Sequence, residues 1–190
     1  MKKIFTFVLL ALAALNAAAE KADANKETLI NADSVDIDKV NQVSVASGAV
    51  VVTKGTLILT SDKAVIKNTP DDYMIVTLTS SGGKLATFRQ KSDGGPDLWV
   101  EGQAQRIEYD ERADMIKLFS NARIRRLEGS KQTELVESEF ISYDSRKEAM
   151  VTRNDASGEN KPGKGRATVR LAPRNPKPAA PAVPAAGGAQ

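Results

Sequence analysis

Apolar and polar positions alternate through most of this chain, and one seven-residue pattern returns four times. Ala32-x-x-Val35-x-Ile37-Asp38 recurs as Ala104-x-x-Ile107-x-Tyr109-Asp110 and as Ser138-x-x-Ile141-x-Tyr143-Asp144, with a weaker copy at Ser61-x-x-Ala64-x-Ile66-Lys67. The copies begin 29, 43 and 34 residues apart. A period of two sends successive side chains to opposite faces of a strand, so each copy predicts a strand with one apolar face. Turn signals punctuate the strands at Lys39-Val40-Asn41-Gln42, Lys54-Gly55, Thr69-Pro70-Asp71-Asp72 and Ser92-Asp93-Gly94-Gly95-Pro96. Across the turn from Asp110 to Asp114, Ile107 and Tyr109 are expected to pair with Ile116 and Leu118. Asn121 stands where Gly48 breaks the first unit. Units of this kind cannot bury an apolar face singly and need stacked neighbours.

The fold class that follows is all-β. Short strands at regular spacing fit a sandwich, a barrel or an open roll. The unequal spacing of the copies favours a long twisted roll of stacked antiparallel hairpins over a closed barrel. Four segments are expected along the chain. Lys2, Lys3, the apolar run Ile4 to Leu15 and Ala17-x-Ala19 read as a secretory signal over 1–19, too short to span a bilayer. Residues 20–27 form a flexible N-terminus and 28–173 a single β domain. Residues 174–190, rich in Pro and Ala without an aromatic residue, are expected to be disordered.

Charge narrows the partners. The formal net charge of +3 includes Lys2 and Lys3, and residues 153–190 carry seven Lys/Arg against two Asp/Glu. The rest of the mature chain is therefore acidic, which argues against a nucleic-acid platform. A leader, no lipobox cysteine and no second long apolar run place the mature chain in the periplasm.

Chemistry narrows the activity. The chain has neither histidine nor cysteine, so the common nucleophile–base pairs and most transition-metal sites are unavailable. No catalytic residue, metal site or cofactor is expected. Asp110, Glu111 and Asp114, and likewise Glu134, Glu137 and Glu139, read as a solvated strand edge with nothing to raise a pKa. A carbohydrate-active protein using Asp110 and Glu137 is the enzymatic rival. Gly158-x-x-x-x-Gly163-Lys164 lacks the Ser or Thr of a phosphate loop. What remains is the apolar face, which side chains close across the roll or a ligand fills.

Val51-Val52-Thr53-Lys54-Gly55-Thr56, Lys84-Leu85-Ala86-Thr87-Phe88-Arg89-Gln90, Val100-Glu101-Gly102-Gln103-Ala104 with Tyr109, and Leu118-Phe119-Ser120-Asn121-Ala122 occur in that order behind the leader. This arrangement resembles the periplasmic lipopolysaccharide-transport protein A family, with its OstA-like fold, over roughly Thr28 to Pro173. The resemblance implies a β-jellyroll whose apolar interior holds the acyl chains of lipid A. It also implies head-to-tail self-association into a bridge between an inner-membrane-anchored partner and an outer-membrane component. The lipid-contact positions it implies are Ile30, Ile37, Phe88, Tyr109, Ile116 and Leu118. Ile37→Asp is then expected to bury a charge in the groove. The alternative is a structural or adhesive periplasmic β-roll that binds partners through its sheet edges.

Overall fold

A computed structural model of the chain describes Asp23 and residues 26–173 apart from Pro96. The expected leader (1–19) and tail (174–190) lie outside the described residues, as does most of the expected flexible N-terminus. The described chain forms twelve antiparallel strands. They are β1 (Thr28–Asn31), β2 (Ser34–Asp38), β3 (Val43–Lys54), β4 (Leu57–Asn68), β5 (Met74–Thr79), β6 (Ala86–Lys91), β7 (Leu98–Ala104), β8 (Arg106–Asp110), β9 (Met115–Glu128), β10 (Lys131–Asp144), β11 (Ala149–Arg153) and β12 (Thr168–Leu171).

The long strands β3, β4, β9 and β10 change partners halfway along. The first half of β3 pairs with β2 and the second half with β1. The start of β4 pairs with β6 and its end with β5. Strand β9 meets β8 and then β7, and β10 meets β12 and then β11. The result is two facing layers: β2-β3-β4-β5-β8-β9-β10-β11 and β1-β3-β4-β6-β7-β9-β10-β12. The four long strands belong to both. This is the twisted β-jellyroll of stacked antiparallel hairpins expected from the sequence.

Two bulges set the line where the layers fold toward each other. Gly48 and Ala49 stand against Asp62 alone, and Ser120 and Asn121 against Glu139 alone. All four bulge residues have left-handed φ, at 80°, 42°, 61° and 54°. Glycine takes that conformation freely and asparagine with little cost; at an offset of 72 residues Gly48 aligns with Ser120 and Ala49 with Asn121, so Gly48 holds the first position of its bulge and Asn121 the second position of the other. The repeat is therefore a structural one: β1 to β6 and β7 to β12 are two copies of the same six-strand unit.

The fourfold pattern now has a place. Its copies lie on β2, β4, β8 and β10, and each runs from the fold line to the turn edge of the first layer. The cross-strand register aligns Ile37, Ser44, Ile66, Val76, Tyr109, Ile116, Tyr143 and Met150 in one inward row. The aspartates closing three copies fix the turns that follow. Asp38 accepts Val40 N–H at 2.9 Å, Asp110 accepts Ala113 N–H at 2.9 Å, and Asp144 accepts Lys147 N–H at 3.1 Å. Both expected cross-strand pairs form, Ile107 with Leu118 and Tyr109 with Ile116.

The layers touch at the centre. The rings of Phe88 (second layer) and Tyr143 (first layer) stack with centroids 6.2 Å apart. A methyl group on Gly102 would lie 2.2 Å from Phe88 Cε1 and 3.0 Å from Leu118 Cδ2. Gly102 is thus required by close approach. Gly102→Ala should lower stability by about 1–3 kcal/mol through overpacking, read as a shift in the urea unfolding midpoint.

Candidate functional site

The candidate site is the inward face of the roll. In the second layer, register aligns Ile30, Val52, Leu59, Phe88, Gly102, Ile124, Val136 and Val169. Phe88 and Ile30 share this row. Ile37, Tyr109 and Ile116 share the first-layer row named above, and Leu118 stands one row nearer the fold line. All six expected contact positions therefore point into one interior. The facing of Phe88 was not legible in the sequence; its pairing with Leu59 and Gly102 settles it.

Burial along these rows is uneven. Phe88, Tyr109, Ile116 and Leu118 are buried in the common core, and Ile30 is partly buried against it. Ile37 is 66 % exposed. An aspartate at position 37 would sit in water, so the expectation that Ile37→Asp buries a charge is corrected. The physical reason is position: among the described residues, β2 is the last strand of its layer and has no neighbour beyond it. At the other end, inward-facing Val169 and Leu171 of β12 are 55 % and 70 % exposed. The apolar interior is thus filled at its centre and open at both ends. Among the described residues, each end also carries two strands with an unpaired edge, β1 and β2 at one and β11 and β12 at the other.

Opposite the fold line, the turns of the two layers meet along a polar border. Lys54 Nζ, at the inward tip of β3, donates to Glu111 in the β8–β9 turn; the side chains are 5 % and 14 % exposed. Glu111 also accepts Met74 N–H at 2.8 Å. Further along, Arg126 of β9 donates to Glu148 O at 2.7 Å and pairs with Glu134 Oε2 at 3.1 Å. Alternation already places Lys54 on the face of Val50 and Val52, and Arg126 on that of Ala122 and Ile124. A cation in apolar register was the available signal for this border.

Asp114 departs from the solvated edge expected of its cluster. It is buried beside Tyr109, whose hydroxyl donates to Asp114 Oδ1 at 3.4 Å, and Ser145 Oγ donates to Asp114 O at 2.8 Å. Burial raises the Asp114 carboxyl above the ordinary range, and burial followed by the Asp114 charge pushes the Tyr109 hydroxyl upward. A raised folded-state pKa means that the folded chain binds the proton more tightly. Stability from this group is therefore fully present below the unfolded pKa and is lost as pH rises through the folded one. Asp114→Asn keeps the left-handed backbone (φ 53°) and removes the buried charge. It should stabilise the chain by about 0.5–1 kcal/mol at pH 8, an advantage that vanishes near pH 3; urea midpoints across that range measure it.

In the second carboxylate cluster, Glu134 and Glu137 are held in ion pairs. Glu137 holds Arg123 at 2.6 Å and Arg170 at 3.2 Å on the outer face of the second layer. Glu101 likewise bridges Arg89 and Arg125. In the Gly158–Gly163 loop, Lys161 Nζ and Lys164 Nζ both turn to Asp155 rather than to an open cradle.

Comparison with known proteins gives a consistent picture. A family model described as LptA/(LptD N-terminal domain) LPS transport protein matches residues 29–149. The chain is 27 % identical over 171 residues to the lipopolysaccharide export system protein LptA of Haemophilus influenzae, covering 90 % of this chain and 91 % of that one. It is 31 % identical over 144 residues to the protein of the same name from Escherichia coli K12, covering 74 % and 76 %. The crystal structure of LptH from Pseudomonas aeruginosa, described as the LptA-homologous periplasmic component of a lipopolysaccharide transport device, superposes with a TM-score of 0.68. That match has 24 % identity and covers 80 % of this chain and 99 % of the other, and it bears on the fold.

Proposed function

Since the chain belongs to the LptA/LptD N-terminal-domain family of lipopolysaccharide transport proteins, we propose that it carries lipopolysaccharide across the periplasm, with the acyl chains inside the roll. The observation that carries this is the inward face: six implied contact positions share one interior whose apolar rows remain exposed at both ends. Moving acyl chains from water into that interior is worth about 0.8 kcal/mol per methylene. Such a function needs no catalytic group. The work done is desolvation of the chains while the sugar head stays in water.

The free edges support a bridge. An incoming strand can add to β1 or β2 at one end and to β11 or β12 at the other. The two ends differ, so a second copy joins head to tail and the contact propagates, which would let several copies span the gap between membrane-anchored components.

Photo-crosslinking in cells tests the reading. A photoreactive residue at Phe88 or Ile37 should capture lipopolysaccharide, while one at outward-facing Thr87 should not. Capture at Thr87 alone, or at none of the three, would sink the carrier function. The packed centre favours a second reading, a structural β-roll whose core is closed and whose edges alone bind partners. Crosslinks to protein at β2 and β12 without any lipid product at Phe88 would establish it.

A further inference from the structure

The two long sides of the roll are built differently. Among the described residues, every passage of the chain from one layer to the other lies on the fold line: the four long strands and the β1–β2, β5–β6, β7–β8 and β11–β12 connections. On the opposite side the chain turns back within its own layer each time, at 39–42, 69–73, 111–114 and 145–148 in the first and at 55–56, 92–97 and 129–130 in the second. That side is a non-covalent seam.

Its contacts follow the internal repeat. Lys54 and Arg126 stand 72 residues apart, at the same position of the two six-strand units. Lys54 is the last residue of β3 and Arg126 stands two residues before the end of β9; both face inward, and each reaches a turn of the opposite layer. Lys54 takes the Glu111 carboxylate. Arg126 takes the Glu148 carbonyl and, at 3.4 Å, Glu148 Oε2. With β4, β6 and β7 between β3 and β9, the two contacts are about 19 Å apart along the seam. Gln90 lies on the strand between, and its buried Oε1 has no hydrogen-bond partner among the described residues; Glu148 Oε1 is in the same state. A hollow of about 390 Å³ opens at the N-terminal end of the seam, lined by Thr28, Gln42, Met74 and Glu111 among others.

The centre of the interior is occupied by its own side chains, as the Phe88–Tyr143 stack and the Gly102 contacts require. Acyl chains can enter there only if the layers part. Parting them at the fold line would tear main-chain ladders; parting them at the seam breaks side-chain contacts alone. The geometry points to the seam as the lateral entry for acyl chains, with Lys54–Glu111 and Arg126–Glu148 as two latches that hold it shut. This inference rests on the acyl-chain reading above. A partly buried ion pair suits a latch because its attraction holds the closed state, while hydration of the separated charges stabilises the open one.

The absence of native cysteine makes the test clean. In the full mature chain, Lys54→Cys with Glu111→Cys is linked by a short bis-methanethiosulfonate that reductant removes. Thr60→Cys with Thr87→Cys, outward neighbours within the second layer whose hydroxyls are 2.6 Å apart, is the control link. Fluorescent lipopolysaccharide is the probe and its loading rate the readout. The seam link should slow loading at least about tenfold and reductant should restore it, as expected when a required opening is blocked. The control link should change nothing. Arg126→Cys with Glu148→Cys supplies an independent lock should the first pair fold poorly.

Removing one latch without a lock tests the opposite sign. Glu111→Gln keeps an acceptor for Met74 N–H and should speed loading by roughly threefold to tenfold, the effect of weakening one partly buried ion pair. Loading through a locked seam at the unlocked rate would place entry at the open ends and overturn the inference. So would Glu111→Gln loading no faster than the unaltered chain. An unaltered chain that never takes up the probe would instead overturn the acyl-chain reading itself, and this inference with it.

Discussion

Phe88→Ala should lower the stability of the folded chain by about 3–5 kcal/mol, the cost of emptying a fully buried aromatic position. Phe88 is buried at the middle of the second-layer row and bridges the layers, stacked on Tyr143 and packed over Gly102. Gly102 and Ala104 on the neighbouring strand offer little bulk to collapse into the space. Relaxation is therefore limited and the upper part of the range is expected. Urea unfolding followed by tryptophan fluorescence from Trp99 measures it. A loss below about 1 kcal/mol would mean that the layers can close over the gap, and that the centre is less rigid than its packing implies. The same variant enlarges the interior, so it should bind acyl chains with less displacement of core side chains.

Lys54→Met should cost about 3–5 kcal/mol for a different reason, because it leaves the Glu111 carboxylate without its counter-ion in a largely desolvated seam. The double variant Lys54→Met with Glu111→Met removes both charges and should recover most of the loss. A double-mutant cycle in urea reads the coupling directly. Equal destabilisation by the single and double variants would mean that Lys54 contributes through the packing of its stem rather than through its charge.

Much of this protein is legible in its sequence, because the information is local. Alternation assigns Ile107, Tyr109, Ile116 and Leu118 to one face, since side-chain direction along a strand has a period of two. The turn at Asp110 follows from a side chain that caps its own backbone. That Gly48 and Asn121 both fall at bulges follows from the few residue types that accept a left-handed backbone. The parts that escape the sequence depend on which distant segments become neighbours. Phe88 lies in a short strand whose facing is set by Leu59 and Gly102, neither of which is adjacent in sequence. Ile37 has the same local pattern as Tyr109 and the same inward row, yet one is exposed and the other buried. Among the described residues, a strand follows beyond Tyr109 in the layer and none beyond Ile37.

The fourfold pattern by itself determined an all-β chain with one apolar face, because period-two alternation is a property of each strand alone. The tertiary structure decided that the copies occupy alternate strands of one layer, that a second layer covers them, and that the interior is packed in the middle and open at its ends. It also decided the fate of the charges. Whether Lys54, Arg126 or Asp114 meets water or an opposing turn depends on how two layers close along a seam that, among the described residues, no covalent connection crosses.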